Sequence, residues 1–298
     1  MTEEEVLALF ETCSNAGRWG PDDQRGTLNH ITDSKRVDAA RLVRSGRMIS
    51  IGKDLDTEWS IRNPDPVVHR MLYLQHDAPY AAIDSFEIAP HGFAVTHLDA
   101  LGHVNFEGSV YNTRRATDVV KRDRLTFASI DAFRAGILTR GVLLDVAEAR
   151  GVEWLNPDDG VWPDDLERAE ELAHITVSRG DAIFVRVGLG AREAAHGKED
   201  PSKRAGLMAE CLPWLYEREI AIFSGDCQER LPQTYSRVTM PLHMIGLVAM
   251  GLVLLDCPEL EELRDVCREL GRNDFMVQCA PLRLRGGTGS PVNPICVF

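Results

Sequence analysis

The sequence predicts an α/β protein. Two apolar, β-branched runs, Gly141-Val-Leu-Leu-Asp-Val and Asp181-Ala-Ile-Phe-Val-Arg-Val, carry flanking glycine and read as buried strands. Between them Pro163 to Leu172 reads as a polar helix with proline near its start. Strands alternating with helices argue for layered α/β packing. The strands are too irregularly spaced for an eight-fold barrel. The 298 residues, 44% hydrophobic and 27% charged, suffice for a core without disulfides or a structural metal.

The remaining elements follow in order. Asn15 to Asn29, rich in Gly, Asp and Arg, reads as a loop. Thr32-Asp33-Ser34 offers caps for a helix whose apolar stripe is Val37, Ala40, Leu42 and Val43. Met48-Ile-Ser-Ile-Gly is a short strand, and Pro64-Asp-Pro breaks the chain after it. Ile220-Ala-Ile-Phe-Ser-Gly-Asp is a further strand ending in a turn. An apolar run from Met244 to Leu255 precedes a helix from about Glu259 to Leu270, with Leu260, Leu263, Val266, Cys267 and Leu270 on one face. The glycine-rich tail closes on a strand at Ile295-Cys-Val-Phe.

Composition excludes several function classes. A net charge of −13 is wrong for a general nucleic-acid binder, which needs surplus Lys and Arg against phosphate. The Met244–Leu255 run is too short to span a bilayer, and the acidic start is not a signal peptide. Seven cysteines with no C-x-x-C pair read as free thiols, so a cytoplasmic location is expected. Gly188-Leu-Gly190 follows a strand, but Glu193 stands where a dinucleotide fingerprint needs its third glycine. Phosphate-loop, zincin and nucleophile-elbow motifs are missing from the sequence. Cys227 and Ser290 read as a packed residue and a turn residue rather than nucleophiles. Trp19, Tyr80 and Phe106 read as packing residues before pocket residues.

The chemistry concentrates in His91-Gly-Phe-Ala-Val-Thr-His97-Leu-Asp99-Ala-Leu-Gly-His103, where three of the nine histidines fall within thirteen residues. In an extended segment His97 and Asp99 point to one face and reach one ion, whereas on a helix they diverge. His103 joins that face if the extension persists, and Gly102 suggests a bend that re-aims it. Histidine plus carboxylate suits Zn²⁺ or Mn²⁺. An unligated histidine nearby can move protons near neutral pH.

Thr96-His97-Leu98-Asp99-Ala100-Leu101-Gly102-His103 resembles the H-x-G-T-H-x-D-x-P-x-H signature of the metal-dependent cyclase family, which includes bacterial kynurenine formamidases and isatin hydrolases. Arg18-Trp-Gly-Pro-Asp-Asp, Gly26-Thr-Leu-Asn, Gly180-Asp181, Ser224-Gly-Asp226, His243 and Gly287-Thr-Gly-Ser-Pro-Val-Asn-Pro are similar to family landmarks in the same order, so the likeness spans nearly the whole chain. It implies a single domain over residues 1–298 of swivelling β/β/α type, with an N-terminal extension of about 1–45. His97 and Asp99 match metal ligands, His103 matches a second-ion ligand or proton-handling group, and His243 matches a histidine near the metal. The signature's first histidine is replaced by Phe93, with His91 two residues away, which favours one ion over two. The late acidic or amide ligand falls at Leu255, and neighbouring Asp256 is its substitute if the chain shifts by one residue. An N-cap for the following helix is the other reading of Asp256.

The expected function is metal-dependent hydrolysis of an amide, lactam or lactone in a small cyclic or aromatic metabolite. One divalent ion, Mn or Zn, is expected on His97, Asp99 and Asp256, with His103 and His243 as acid–base groups. A cyclase or lyase acting through an enolate, and a non-catalytic family member, are the alternatives. A small-molecule substrate, no nucleic-acid or membrane partner, and a homo-oligomer (dimer or tetramer) complete the expectation.

Overall fold

A computed structural model of the chain describes residues 1–73 and 81–298, so Tyr80 lies outside the described residues. The main strands are β1 (Met48–Ser50), β2 (Val68–Tyr73), β3 (Ala82–Glu87), β4 (His97–Asp99), β5 (Ile137–Asp145), β6 (Ala182–Arg186), β7 (Ile222–Gly225), β8 (Val253–Asp256), β9 (Asp274–Cys279), β10 (Gly289–Pro291) and β11 (Ile295–Val297). The main helices are α1 (Glu3–Thr12), α2 (Asp33–Ala40), α3 (Pro163–Ala173), α4 (Leu189–His196), α5 (Cys211–Glu217), α6 (Pro241–Ile245) and α7 (Glu261–Leu270).

Nine strands form one sheet in the order β1-β11-β9-β5-β6-β7-β8-β4-β10. Its centre, β5 to β8, is parallel, and both wings are antiparallel. Parallel strands are covered on both faces and therefore need continuous apolar runs. Every residue of β6, β7 and β8 is buried accordingly. Helices α2, α3 and α7 pack on β5. The amphipathic helix α7 buries Leu263, Val266 and Cys267 against the sheet. Burial of Leu263 and of Val266 contributes about 1.5–3 kcal/mol each. The mixed α/β single domain predicted from the sequence is the one observed.

Local signals account for the helix starts. Thr2 and Glu5 form a capping box on α1, Thr32 accepts from Lys35 N at the start of α2, and Pro163 opens α3. The apolar run after His243 does not form one element. It ends α6, makes a π-helical turn over Gly246–Met250, reverses at Gly251 and enters β8. Gly251 has φ +61°, and a Cβ there would lie 2.3 Å from the Tyr111 ring. The reversal folds the two ends of the run, His243 and Asp256, against each other.

A two-stranded antiparallel hairpin of β2 and β3 stands apart from the main sheet, with Val68, Met71, Leu72, Ile83 and Phe86 exposed. Phe106 stacks on Phe10 with ring centroids 4.0 Å apart, and the Trp19 and His30 rings meet edge to face. Both aromatics thus pack within the fold. Among the described residues no helix is long and apolar enough to cross a membrane.

Candidate metal centre

Strand β4 lies between β8 and β10. Its extended backbone places the side chains of His97 and Asp99 on one face, as the two-residue period requires. The antiparallel register sets Asp256 opposite His97 and Leu255 opposite Leu98. Directly opposed residues share a face, so Asp256 joins His97 and Asp99 while Leu255 points into the other layer. The one-residue offset considered for the late ligand is therefore a matter of strand register. Asp256 does not cap α7, whose N-cap is Leu260. Thr96 locks this register, donating from Oγ1 to the Cys257 carbonyl at 2.7 Å and accepting from Lys53 N at 2.9 Å.

Two clusters of ligating side chains meet at Asp99. One is His91, His97 and Asp99, and the other is Asp99, His243 and Asp256. His91 Nδ1 is 3.0 Å and His97 Nε2 3.4 Å from Asp99 Oδ1. His243 Nε2 is 3.2 Å from Asp256 Oδ2 and 3.8 Å from Asp99 Oδ2. His97, Asp99, His243 and Asp256 are all buried.

The far sides of two imidazoles are already committed. His97 Nδ1 donates to the Val95 carbonyl at 2.8 Å, which leaves the Nε2 lone pair facing Asp99. His243 Nδ1 donates to the Glu229 carboxylate at 2.9 Å, which turns Nε2 toward Asp99 and Asp256. A carboxylate or carbonyl behind a histidine is the usual way a metal-binding tautomer is fixed. Glu229 is itself buried and paired with Arg204 at 3.3 Å. Gln228 donates to Asp256 Oδ2.

The charges in this pocket hold one another. Burial alone would raise Asp99, but His91 and His97 overcome it and hold the carboxyl well below the usual range. Burial works to lower His97, and Asp99 reverses the direction to a net rise. His243 likewise resists burial and rises well above its ordinary value because Glu229 and Asp256 face it. Glu229 is lowered, its burial outweighed by His243 and Arg204. Burial pushes His103 down to about 4.

Both oxygens of Asp99 and one of Asp256 are buried with no well-directed hydrogen bond among the described residues, and Asp99 is faced only by imidazole nitrogens. Buried carboxylates in that condition are costly unless a cation sits against them. Carboxylate oxygens beside outward-pinned imidazoles are a donor set that fits a divalent ion such as Zn²⁺ or Mn²⁺.

His103 reaches the site by another route than a continued strand. Extension ends at Asp99, a turn with His103 N donating to the Ala100 carbonyl follows, and the His103 ring stacks flat on His91 at 3.7 Å. It belongs to neither ligand cluster. His91 stands two residues off the signature position, yet its ring arrives beside Asp99. Gly289 makes this possible, since a Cβ there would lie 2.6 Å from His91 Cε1. Thr288 Oγ1 hydrogen-bonds His91 Nε2 at 3.0 Å. Glu229 carried no local signal at all. A single glutamate after a strand is ordinary, and only its burial marks it.

Cys227 is buried, and burial pushes its thiol well above the ordinary value, which disfavours the thiolate. Ser290 Oγ accepts from Leu282 N and donates to the Pro291 carbonyl, both structural bonds.

The family described as Putative cyclase matches residues 27–229, a span that holds His91, His97, Asp99, His103 and Glu229. A crystal structure described as a novel cyclase is similar with a TM-score of 0.86 and 28% identity, covering 96% of this chain and 99% of that one. Isatin hydrolase A from Labrenzia aggregata, bound to benzyl benzoate, gives a TM-score of 0.62 at 19% identity, covering 84% and 93%. A protein described as a "predicted metal-dependent hydrolase" from Bacillus stearothermophilus gives 0.52 at 11%, covering 84% and 97%. The likeness to these last two is one of fold. No curated protein matches the sequence.

Proposed function

The chain belongs to the Putative cyclase family, and on that footing we propose that it is a metal-dependent hydrolase of an amide, lactam or lactone bond in a small cyclic or aromatic metabolite. The observation that carries this reading is the pair of buried carboxylates, Asp99 and Asp256, with unsatisfied oxygens facing imidazoles whose other nitrogens are pinned. The isatin hydrolases among the fold relatives support the bond class.

In this reading one divalent ion, Mn or Zn, is held around Asp99 by donors of the two clusters, His91 and His97 on one side and His243 and Asp256 on the other; among the described residues His97 and Asp256 share no cluster, so the expected set of His97, Asp99 and Asp256 is divided between the two. When bound, such an ion polarises a carbonyl and brings the pKa of water toward neutrality. The chain's own residues do the rest. Val95 and Glu229 hold two imidazoles in the tautomer that presents Nε2. His103, outside both ligand clusters and stacked on His91, takes the proton from water and returns it to the leaving nitrogen or oxygen. His243 was expected in an acid–base role, and we place it with the ligands because Glu229 occupies its Nδ1.

Metal content by mass spectrometry tests the centre. The wild type should carry about one Mn or Zn per chain, and His97→Ala should lose metal and turnover of a formamide, lactam and lactone panel together. His103→Asn should keep metal and lose turnover. Two ions per chain would assign both clusters. No metal after reconstitution would refute the reading. Incorporation of ¹⁸O from solvent into product separates hydrolysis from an enolate cyclase or lyase. A homo-oligomer is part of this proposal. The exposed apolar side chains of the β2–β3 hairpin are a surface of the kind self-association buries, and light scattering on the purified chain reads its mass.

A further inference from the structure

Beside the centre lies a pocket with about 590 Å³ of open space, its mouth included. Gln228 lines it and also donates to Asp256, so the pocket wall reaches the metal ligands. Its lining contains five cationic side chains, Lys53, Arg62, Arg192, Lys203 and Arg204, against two acidic ones, Glu199 and Asp226. Four of the five are paired with carboxylates, so the cleft offers individual cationic groups rather than a net positive field.

The cations are not equivalent. Arg62 is engaged by Glu193 at 2.6 Å, Arg192 by Glu199 at 2.8 Å, and Lys53 more loosely by Glu259 at 3.8 Å. Arg204 is 8% exposed and bonds Glu229 through Nε and Nη2, but its buried Nη1 has no partner among the described residues. Phe93 lies under its guanidinium at 4.3 Å. A buried guanidinium nitrogen without an acceptor is costly, and a planar carboxylate is the acceptor that fits a guanidinium edge. Leu155, Val187 and Leu189 supply apolar wall, which suits one charged end on a hydrophobic body.

Resting on the hydrolase reading of the adjoining centre, we propose that this pocket is a carboxylate subsite: the substrate carries, away from the scissile bond, a carboxylate on an aromatic or other apolar skeleton, bound at Arg204 Nη1 beside Phe93. The departure from the family signature at position 93 then has a role, since Phe93 forms the face on which the guanidinium rests.

The test is calorimetric titration of the full chain with benzoate and with neutral benzamide, once in excess chelator and once loaded with manganese. Benzoate should bind at least tenfold tighter than benzamide in both states. The charge-neutral double variant Arg204→Gln/Glu229→Gln, which leaves no unpaired buried charge, should lose that preference. Arg204→Gln alone should lose it too where the variant folds. Equal binding of the two probes, preference only in the manganese-loaded state, or benzoate binding unaltered in the double variant would overturn the proposal. The chelated arm is independent of metal, so failure of the hydrolase reading appears in metal content and turnover while failure of the subsite appears here.

Discussion

Replacing Glu229 by glutamine separates what this buried carboxylate does for the fold from what it does for the centre. Glu229 is 1% exposed, bonds His243 Nδ1 at 2.9 and 3.1 Å, and pairs with Arg204 at 3.3 Å. Glutamine has the same shape and its carbonyl can still accept from His243, but the negative charge is gone. Arg204 then stays buried with no counter-charge. Breaking one side of a buried ion pair costs about 3–5 kcal/mol. Partial solvation from the adjoining pocket places the expected loss near the lower end, about 3 kcal/mol, read by urea denaturation of the metal-free protein. Weakening the partner behind a ligating histidine should also lower metal affinity about 10–100-fold. The two effects come apart in Arg204→Gln/Glu229→Gln. With both charges removed, most of the lost stability should return, because neither group is left uncompensated. Metal affinity should stay reduced, because His243 still lacks a carboxylate behind it. A folded Glu229→Gln protein that binds Mn²⁺ or Zn²⁺ as tightly as wild type would refute the ligand assignment of His243.

Three further outcomes follow from other parts of the molecule. His30 is buried, accepts from Arg179 Nε at 3.1 Å, and burial holds its pKa down to about 4. An unfolded histidine protonates near 6.5, so between the two values the unfolded chain binds more protons. Stability from this group is therefore complete above about pH 6.5 and falls as pH drops toward 4. The separation corresponds to about 3 kcal/mol, which solvent screening reduces to about 1–2 kcal/mol, and His30→Gln should flatten that limb of the profile. Gly289→Ala should displace His91, because the new Cβ lies 2.6 Å from its ring and 2.8 Å from the Leu98 carbonyl. About 1–3 kcal/mol of stability and a measurable part of metal affinity should go with it, and unchanged metal titration would remove His91 from the donor ring. Asp226 accepts backbone N–H groups of Val187, Gly188 and Leu189 at 2.7–2.9 Å, so Asp226→Asn should cost about 1–3 kcal/mol by turning an acceptor into a donor, as thermal unfolding would show.

What the sequence by itself determined is local. The strands β5 to β7, the capped start of α2, and the helix opening on Pro163 rest on side-chain period, β-branching and caps, which act over a few residues. His97-x-Asp99 belongs to the same class, since alternation along a strand puts both on one face wherever the strand lies. The rest of the centre needed the tertiary structure. Asp256 rather than Leu255 meets His97 because β8 pairs with β4 in one register, and that register is set by packing and by Thr96 reaching the Cys257 carbonyl. His243 arrives through a reversal at Gly251 that an apolar run does not announce. His91 enters through space cleared by Gly289, almost 200 residues along the chain. His103 comes in over a turn at the bend that Gly102 suggests, and only the fold shows that this bend stacks its ring on His91. Contacts between residues so far apart in sequence are chosen by the energy of the whole packed sheet, so no short stretch of the chain encodes them.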